Sequence, residues 1–214
     1  MDTSSLLLYN IVEDIPENSF IMTKKNVILG KEFRCFLDKN EHFLDDENEN
    51  IYDYILKYNS YKNTHYIYNK TKKIATIKMI KNSSYLVKYE CNVYENNETF
   101  FVVKTFFKFT SLINPHPIYG PFKLIYKFND NLLTSVKPRY KNHRFYLNFT
   151  NSLNNHIKTS SCNFKFINND GDILLESIKI KSNKSKYVIT SSDEISPLHS
   201  FIISCINKIS EINI

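Results

Sequence analysis

Residue types that could support enzymatic chemistry are present in this 214-residue chain, but their spacing forms no catalytic or metal-binding pattern. Only three glycines occur, so no glycine-rich phosphate-binding loop can form. The six histidines lie at no metal-ligand spacing; they are His42, His65, His116, His143, His156 and His199. We therefore expect a protein that is not an enzyme and that binds no cofactor and no metal.

The four cysteines, Cys35, Cys91, Cys162 and Cys205, include no C-x-x-C pair and no metal-clip spacing. The sequence predicts buried, reduced thiols, as in a cytoplasmic protein. His199 lies beside the start of a predicted C-terminal helix. We expect it to have a structural role and to pair with Asp193 or Glu194.

One short segment interleaves cations with an aromatic ring. Between Arg139 and Arg144 the order is Arg-Tyr-Lys-Asn-His-Arg, which is typical of proteins that bind single-stranded nucleic acid. The formal net charge of +6 is compatible with such a partner and equally with an anionic membrane surface. The charge alone does not decide between these two partners.

The composition favours strands over helices: aromatic residues make up 14% of the chain, with many Tyr and Phe. The start of the chain has no positively charged segment before an apolar core, which argues against secretion. No apolar run approaches the length of about 18 residues that a spanning helix needs. Any membrane contact is therefore expected to be peripheral.

Period-two alternation between apolar and polar residues recurs along the chain and predicts strands with one buried face. Turn-forming groups separate the runs, including Asp170-Gly171, a hairpin signal. A polar or acidic loop is expected at 45–50 and at 151–155. The predicted strands are Phe33–Leu37, Tyr52–Tyr58, His65–Tyr68, Lys73–Ile80, Tyr85–Val93, Phe100–Phe109, Leu124–Phe128, Arg144–Phe149, Cys162–Ile167, Ile173–Ile180 and Lys186–Thr190.

The C-terminus is the exception, because its apolar residues recur at helical spacing. Ser196 and Pro197 are typical of an N-cap followed by the first helical position. A lone helix this apolar must be enclosed, and a barrel of many strands could enclose it. The residues of the predicted plug are Pro197, Leu198, Phe201, Ile202, Cys205, Ile206 and Ile209, with the plug extending to Ile214.

Several segments, in order, resemble the C-terminal domain of tubby and tubby-like proteins. Pro197-Leu198-His199-Ser200-Phe201 is similar to that family's Pro-Leu-x-x-Phe helix entry. Two further strands are similar to the family's Tyr-x-Leu-Asn-Phe and Ser-x-Lys-Asn-Phe strands. These two strands are Phe145–Phe149 and Ser160–Phe164. The other segments that resemble the family are Arg34-Cys35, His65–Tyr68, Gly120–Leu124 and Lys137–Asn142.

The resemblance implies a mainly β fold: a closed antiparallel barrel of about 12 strands around a central apolar C-terminal helix. It also implies binding of phosphoinositide headgroups, which the family performs with a Lys-x-Arg pair on one strand. The matching stretch here, 74–82, keeps Lys78 in either possible register and loses its partner. Lys81 and Lys73 are the neighbouring lysines that could compensate, so Lys78, Lys81 and Lys73 are the predicted headgroup-binding residues.

The sequence thus predicts a short N-terminal extension, 1–24, and one tubby-like domain, 25–214. Its expected function is peripheral binding of a phosphoinositide-containing membrane, with an adaptor or trafficking role, as a cytoplasmic monomer that also binds a protein cargo. Two alternatives stay open: a nucleic-acid-binding, transcription-linked and partly nuclear protein, or an interaction scaffold with a degenerate lipid site. Phospholipid scramblases share the barrel-and-helix fold and remain relatives at that level.

Overall fold

The computed structural model describes residues 15–27, 30–38, 52–59, 61–83, 86–105, 108–111, 114–119, 123–141, 144–147, 149, 157–158, 160, 163–180 and 186–209. Within these residues the chain forms sixteen strands and one helix, α1. The strands are β1 Ser19–Val27, β2 Gly30–Phe36, β3 Tyr54–Asn59, β4 Thr64–Asn69, β5 Lys72–Ser83, β6 Leu86–Val93, β7 Glu98–Thr105, β8 Lys108–Ser111, β9 Asn114–Tyr119, β10 Lys123–Phe128, β11 Asn131–Thr134, β12 Arg139–Lys141, β13 Arg144–Tyr146, β14 Phe164–Ile167, β15 Ile173–Lys179 and β16 Lys186–Ser191.

Twelve strands form one sheet in the order β11-β10-β7-β6-β5-β4-β3-β2-β1-β16-β15-β14. Every neighbouring pair is antiparallel. The two edges of the sheet approach each other through a bridge between Ser135 and Phe166. Next to it, the Val136 amide donates to the Lys165 carbonyl at 2.8 Å. The sheet is therefore a nearly closed barrel, as the sequence predicted.

Alternation along the strands explains why the sheet curls around a core. In β6 the residues Val87, Tyr89, Cys91 and Val93 are buried, and the residues between them are only partly buried. These inward side chains join one apolar cluster with the helix. Because period-two patterns place one face of each strand on the core, the alternation seen in the sequence is confirmed by the burial.

Helix α1, Pro197–Ile209, lies inside the barrel. Every residue from His199 to Ile209 is buried, including Phe201, Ile202, Cys205 and Ile206, whereas Leu198 is half-buried and Pro197 is exposed. The Ser196 hydroxyl accepts a hydrogen bond from the His199 amide at 3.2 Å, which is the predicted N-cap. The predicted extension of the plug to Ile214 lies outside the described residues.

Strand placement differs from the sequence prediction at several positions, and strands β9, β11 and β12 were not predicted. Strand β1 was not predicted, and it begins at Ser19, earlier than the domain start predicted at residue 25. Its second half, Thr23 to Asn26, is polar, which hides the alternation. The predicted strand Phe100–Phe109 is instead the end of β7 and the start of a separate hairpin, β8–β9. The predicted loops at 45–50 and 151–155 lie outside the described residues.

Two findings bear on the remaining predictions from the sequence. Within the described part of the chain, no helix has the length and apolarity that crossing a membrane would need. The cysteines Cys35, Cys91 and Cys205 are buried free thiols, as predicted, and Cys162 lies outside the described residues.

Candidate functional site

The helix gives the barrel two distinguishable ends. At one end, where α1 begins, His199 lies against Glu98 at the start of β7. At the other, where α1 ends, the Lys104 ammonium at the end of β7 donates to the Asn207 carbonyl at 2.7 Å. We call these the entry end and the far end. Because the sheet is antiparallel, the last residues of β1, β3, β5 and β15 lie at the far end with the end of β7.

Charged residues are sorted between the two ends. Among the described residues in turns or within two positions of a barrel strand's nearer terminus, the far end has one acid, Glu32, and many lysines. The entry end has more acidic than basic residues. Its basic residues are Arg34, Lys70, Lys72, Lys73 and Lys127. The far-end lysines are Lys25, Lys31, Lys57, Lys62, Lys81, Lys88, Lys104, Lys123, Lys165, Lys179 and Lys186; the entry-end acids are Glu17, Asp38, Asp53, Glu95, Glu98, Asp130, Asp170, Asp172, Asp193 and Glu194.

A β-bulge brings two of the predicted lysines onto one surface. Residues three apart on a regular strand face opposite sides, so Lys78 and Lys81 would be separated. The register of β5 against β6 shifts between Met79 and Lys81, with Ile80 as the extra residue. Consequently both lysines are exposed on the outer face of the barrel.

The strand register also sets the electrostatic surroundings of these two lysines. Lys81 lies directly opposite Lys88, and Lys78 lies directly opposite Glu90. The Lys88 ammonium lies over the Phe101 ring, 4.5 Å from its centroid. The outer surface near the far end therefore combines a lysine pair, Lys81 and Lys88, with Lys78, which has Glu90 directly opposite it in the neighbouring strand.

Lys73, the third predicted headgroup residue, lies elsewhere. It is near the start of β5 at the entry end, and its ammonium lies over the Tyr66 ring at 3.5 Å. At the usual rise per residue it is roughly 25 Å from Lys81 along the same strand. The structure therefore groups Lys78 with Lys81 and Lys88 and does not bring Lys73 to them.

Three more lysines at the far end lie inside the barrel or at its rim, and sequence analysis missed them. Lys31 and Lys104 donate to the carbonyls of Lys208 and Asn207 at the end of α1. The Lys208 ammonium donates to the Ser177 hydroxyl at 3.0 Å and lies 4.2 Å from the Tyr187 ring centroid. Cations at a helix C-terminus interact favourably with its dipole. The alternation along β7 could have identified Lys104 as an inward-facing lysine, because it shares one face of the strand with the buried residues Phe100 and Val102.

The entry end is organised around His199. Its Nε2 lies 3.2 Å from a Glu98 carboxylate oxygen, and its Nδ1 lies 2.9 Å from the Tyr126 hydroxyl. The ring stacks against Phe100 at 4.2 Å. Burial lowers the pKa of His199, and the Glu98 carboxylate partly opposes this. The histidine is structural, as predicted, but its acidic partner is Glu98 and not Asp193 or Glu194.

The thiols and possible metal ligands of the described residues form no further site. Burial raises the pKa of the Cys35, Cys91 and Cys205 thiols well above the usual value, which keeps them protonated and unreactive. In the part of the chain that the structure describes, no group of three or more His, Cys, Asp or Glu residues could hold a metal ion. Within the cationic segment 139–144, Arg139, Tyr140 and Lys141 form β12, and Arg144 begins β13; these strands pair with each other in a separate two-stranded sheet, with the backbone of Lys141 opposite that of Arg144.

Fold and charge together define a class: a barrel enclosing its C-terminal helix, with one cationic and one largely acidic end. Comparison of the sequence with models of known protein families finds no match. Comparison with curated proteins likewise finds no match.

Proposed function

We propose that this protein is a non-enzymatic, tubby-like domain that binds phosphoinositide-containing membranes peripherally through the far end of its barrel. The observation that carries the proposal is the sorting of charge, with lysines at the far end and acids at the entry end. The predicted residues Lys78 and Lys81 are exposed on the outer surface next to this cationic end. A protein with such a charge axis approaches an anionic surface with its cationic end first.

The magnitude of the effect supports a membrane role. Each lysine near an anionic leaflet contributes about 1 kcal/mol, so several lysines at one end hold the domain at the surface without a spanning segment. Lys81 and Lys88 lie directly opposite each other, an arrangement that costs free energy between like charges. A phosphate bound between their ammonium groups would remove that cost. The adaptor role, the protein cargo and the monomeric state remain predictions from the sequence.

The experiment is vesicle co-sedimentation with phosphatidylcholine vesicles that contain phosphatidylinositol 4,5-bisphosphate. We expect the double variant Lys81→Ala/Lys88→Ala to bind about 30-fold more weakly, the equivalent of about 2 kcal/mol. Lys78→Ala should lose less, because it removes one charge and not two, and because an acid, Glu90, lies directly opposite Lys78. The matched control is Lys72→Ala/Lys127→Ala, which removes the same charge from exposed positions at the entry end.

Three outcomes would contradict the proposal. The wild type could fail to sediment with these vesicles, or the entry-end control could lose as much binding as the far-end variant. A single-stranded oligonucleotide that binds more tightly than the vesicles at the same ionic strength would favour the nucleic-acid alternative. Raising the salt concentration should weaken vesicle binding, because exposed charges are screened within about 10 Å at 0.1 M salt.

A further inference from the structure

Three of the apolar side chains that are exposed in the described part of the chain, Val27, Tyr61 and Ile80, lie at or near the far end. Tyr61, in the turn between β3 and β4, is 87% exposed, and no described ring or cation contacts its side chain. Val27 ends β1, and Ile80 is the extra residue of the bulge in β5; they are 44% and 41% exposed. Large apolar residues grouped at one edge of a protein are a signature of an interaction surface.

Hydrogen bonds and strand pairing place the three residues along one rim. Val27 pairs with Gly30, which pairs with Asn59, and the Tyr61 amide donates to the Asn59 side chain at 2.9 Å. The next contact joins this turn to β5, since the Met79 amide donates to the Asn63 carbonyl at 2.7 Å. Across four strand spacings of about 4.8 Å, the rim from Val27 to Ile80 is roughly 19 Å wide.

The neighbours of these residues are cationic. Lys25 precedes Val27, Lys62 follows Tyr61, and Lys81 follows Ile80. The entry end also exposes apolar residues, but each has an acid close by in the sequence. Leu37 precedes Asp38, Tyr94 precedes Glu95, Leu132 follows Asp130, and Ile167 precedes Asp170.

We propose that Tyr61, together with Val27 and Ile80, enters the boundary between headgroups and acyl chains of an anionic bilayer. This inference rests on the proposed function and adds to it an apolar anchor and an orientation, with the far end facing the lipid. Interfacial binding combines buried apolar area with attraction between cations and anionic lipids, and among the described residues the far end joins exposed apolar side chains to an excess of lysines over acids. Tyrosine suits this depth because its ring is apolar and its hydroxyl is polar.

The absence of tryptophan from the chain allows a direct test. Tyr61→Trp introduces a single tryptophan at the proposed anchor, and Leu132→Trp introduces a single tryptophan at a position of the entry end that is 63% exposed. Each variant is titrated with phosphatidylcholine vesicles containing phosphatidylinositol 4,5-bisphosphate, with and without bromine on the acyl chains. We expect blue-shifted emission and bromine quenching for Tyr61→Trp and neither change for Leu132→Trp.

A second variant measures what the anchor contributes. Tyr61→Ser should weaken co-sedimentation about five- to tenfold, and Leu132→Ser should leave it unchanged. The ratio between wild type and Tyr61→Ser should persist at high salt, because burial of an apolar ring is not screened. Circular dichroism of all four variants checks that the barrel is intact, which the high exposure of both positions favours.

The outcomes separate this inference from the proposed function. If the protein sediments but the Tyr61→Trp emission does not change, binding is purely electrostatic, so the anchor is wrong and the proposed function stands. A shift for Leu132→Trp alone would reverse the orientation and overturn the inference. If the wild type does not sediment at all, both proposals fail. A response of Tyr61→Trp to a single-stranded oligonucleotide, without a response to vesicles, would assign the rim to nucleic acid.

Discussion

The two ends of the barrel contact the enclosed helix through different kinds of interaction. At the entry end α1 begins among aromatic rings, with His199 held between Glu98 and Tyr126 and stacked on Phe100. At the far end the last carbonyls of α1 accept hydrogen bonds from Lys31 and Lys104. One end is thus closed mainly by packing, and the other mainly by charge-assisted hydrogen bonds.

Part of this difference follows from the helix itself. A helix carries partial positive charge at its start and partial negative charge at its end, so acids near the start and lysines near the end are stabilising. This explains the lysines that reach the helix carbonyls. It does not explain Lys81 or Lys88, which lie directly opposite each other on the outer face of the barrel, since the dipole effect is confined to the last turn. These outer lysines are not needed to stabilise the helix, and they are the residues that the proposed membrane contact uses.

The largest expected effect concerns packing along α1. Phe201→Ala should lower the free energy of unfolding by about 3–5 kcal/mol, because the fully buried ring packs in the core against Tyr54. Ile209→Ala, at the far end of the helix, should cost about 2 kcal/mol, the low end of the usual range. Urea unfolding of both variants measures the difference. Equal losses would show that the two halves of the helix are packed alike.

The next effect concerns a histidine nearer the far end. His65 stacks on Tyr58 at 4.5 Å, and burial lowers its pKa to about 4, with Lys62 as a further charge that lowers it. The unfolded chain takes up this proton near pH 6.5, so the folded state loses about 3 kcal/mol as the pH falls from 6.5 to 4. Unfolding measured across this range should show the loss, and His65→Gln should remove most of it.

The entry end provides the contrast for this pH dependence. At His199 the Glu98 carboxylate opposes the effect of burial on the pKa, whereas at His65 the charge of Lys62 acts in the same direction as burial. His199→Gln should therefore change the pH dependence less than His65→Gln does. A larger change for His199→Gln would contradict the electrostatic difference between the two ends.

The parts of the fold that could be predicted from the sequence are those that local sequence patterns determine. Ser196 and Pro197 predicted the start of α1, because an N-cap acts through contacts only three residues away. Strand β1 was missed because its second half, from Thr23 to Asn26, is polar on both faces. Lys24, on the inward-facing side, lies directly opposite the buried Phe33 and is itself partly buried, so a lysine stands where alternation alone would lead one to expect an apolar residue.

The candidate site was less predictable because it depends on pairing between strands. Lys81 was predicted, but period-two alternation alone would put it on the opposite face from Lys78. Only the bulge at Ile80 places both outside, and a bulge is set by the register of two strands. Lys88 was missed for the same reason, since the sequence does not reveal that it lies opposite Lys81.

A smaller effect tests the start of the helix. Ser196→Ala removes the hydroxyl that accepts the His199 amide, so we expect a loss of about 1 kcal/mol in the free energy of unfolding. Ser196→Asp is the matched variant, because aspartate also caps a helix and adds favourable charge at its start. It should retain the stability of the wild type. If both variants lose equally, the cap does not contribute to holding the entry end.

The smallest expected effect isolates one charge at the entry end. Glu98→Gln keeps the size of the side chain but removes the carboxylate 3.2 Å from His199 Nε2. Because that carboxylate raises the pKa of His199 against burial, its removal should lower the pKa further. The nuclear magnetic resonance titration of the His199 ring measures the change, with His65 in the same spectrum as an internal control that should not move. Stability at pH 7 should change by less than about 1 kcal/mol, since His199 is already neutral there and Glu98 is partly exposed. If the pKa of His199 does not change, Glu98 does not determine the electrostatic surroundings of this histidine. The contrast between the acidic entry end and the cationic far end would then depend only on the charges on the outer surface.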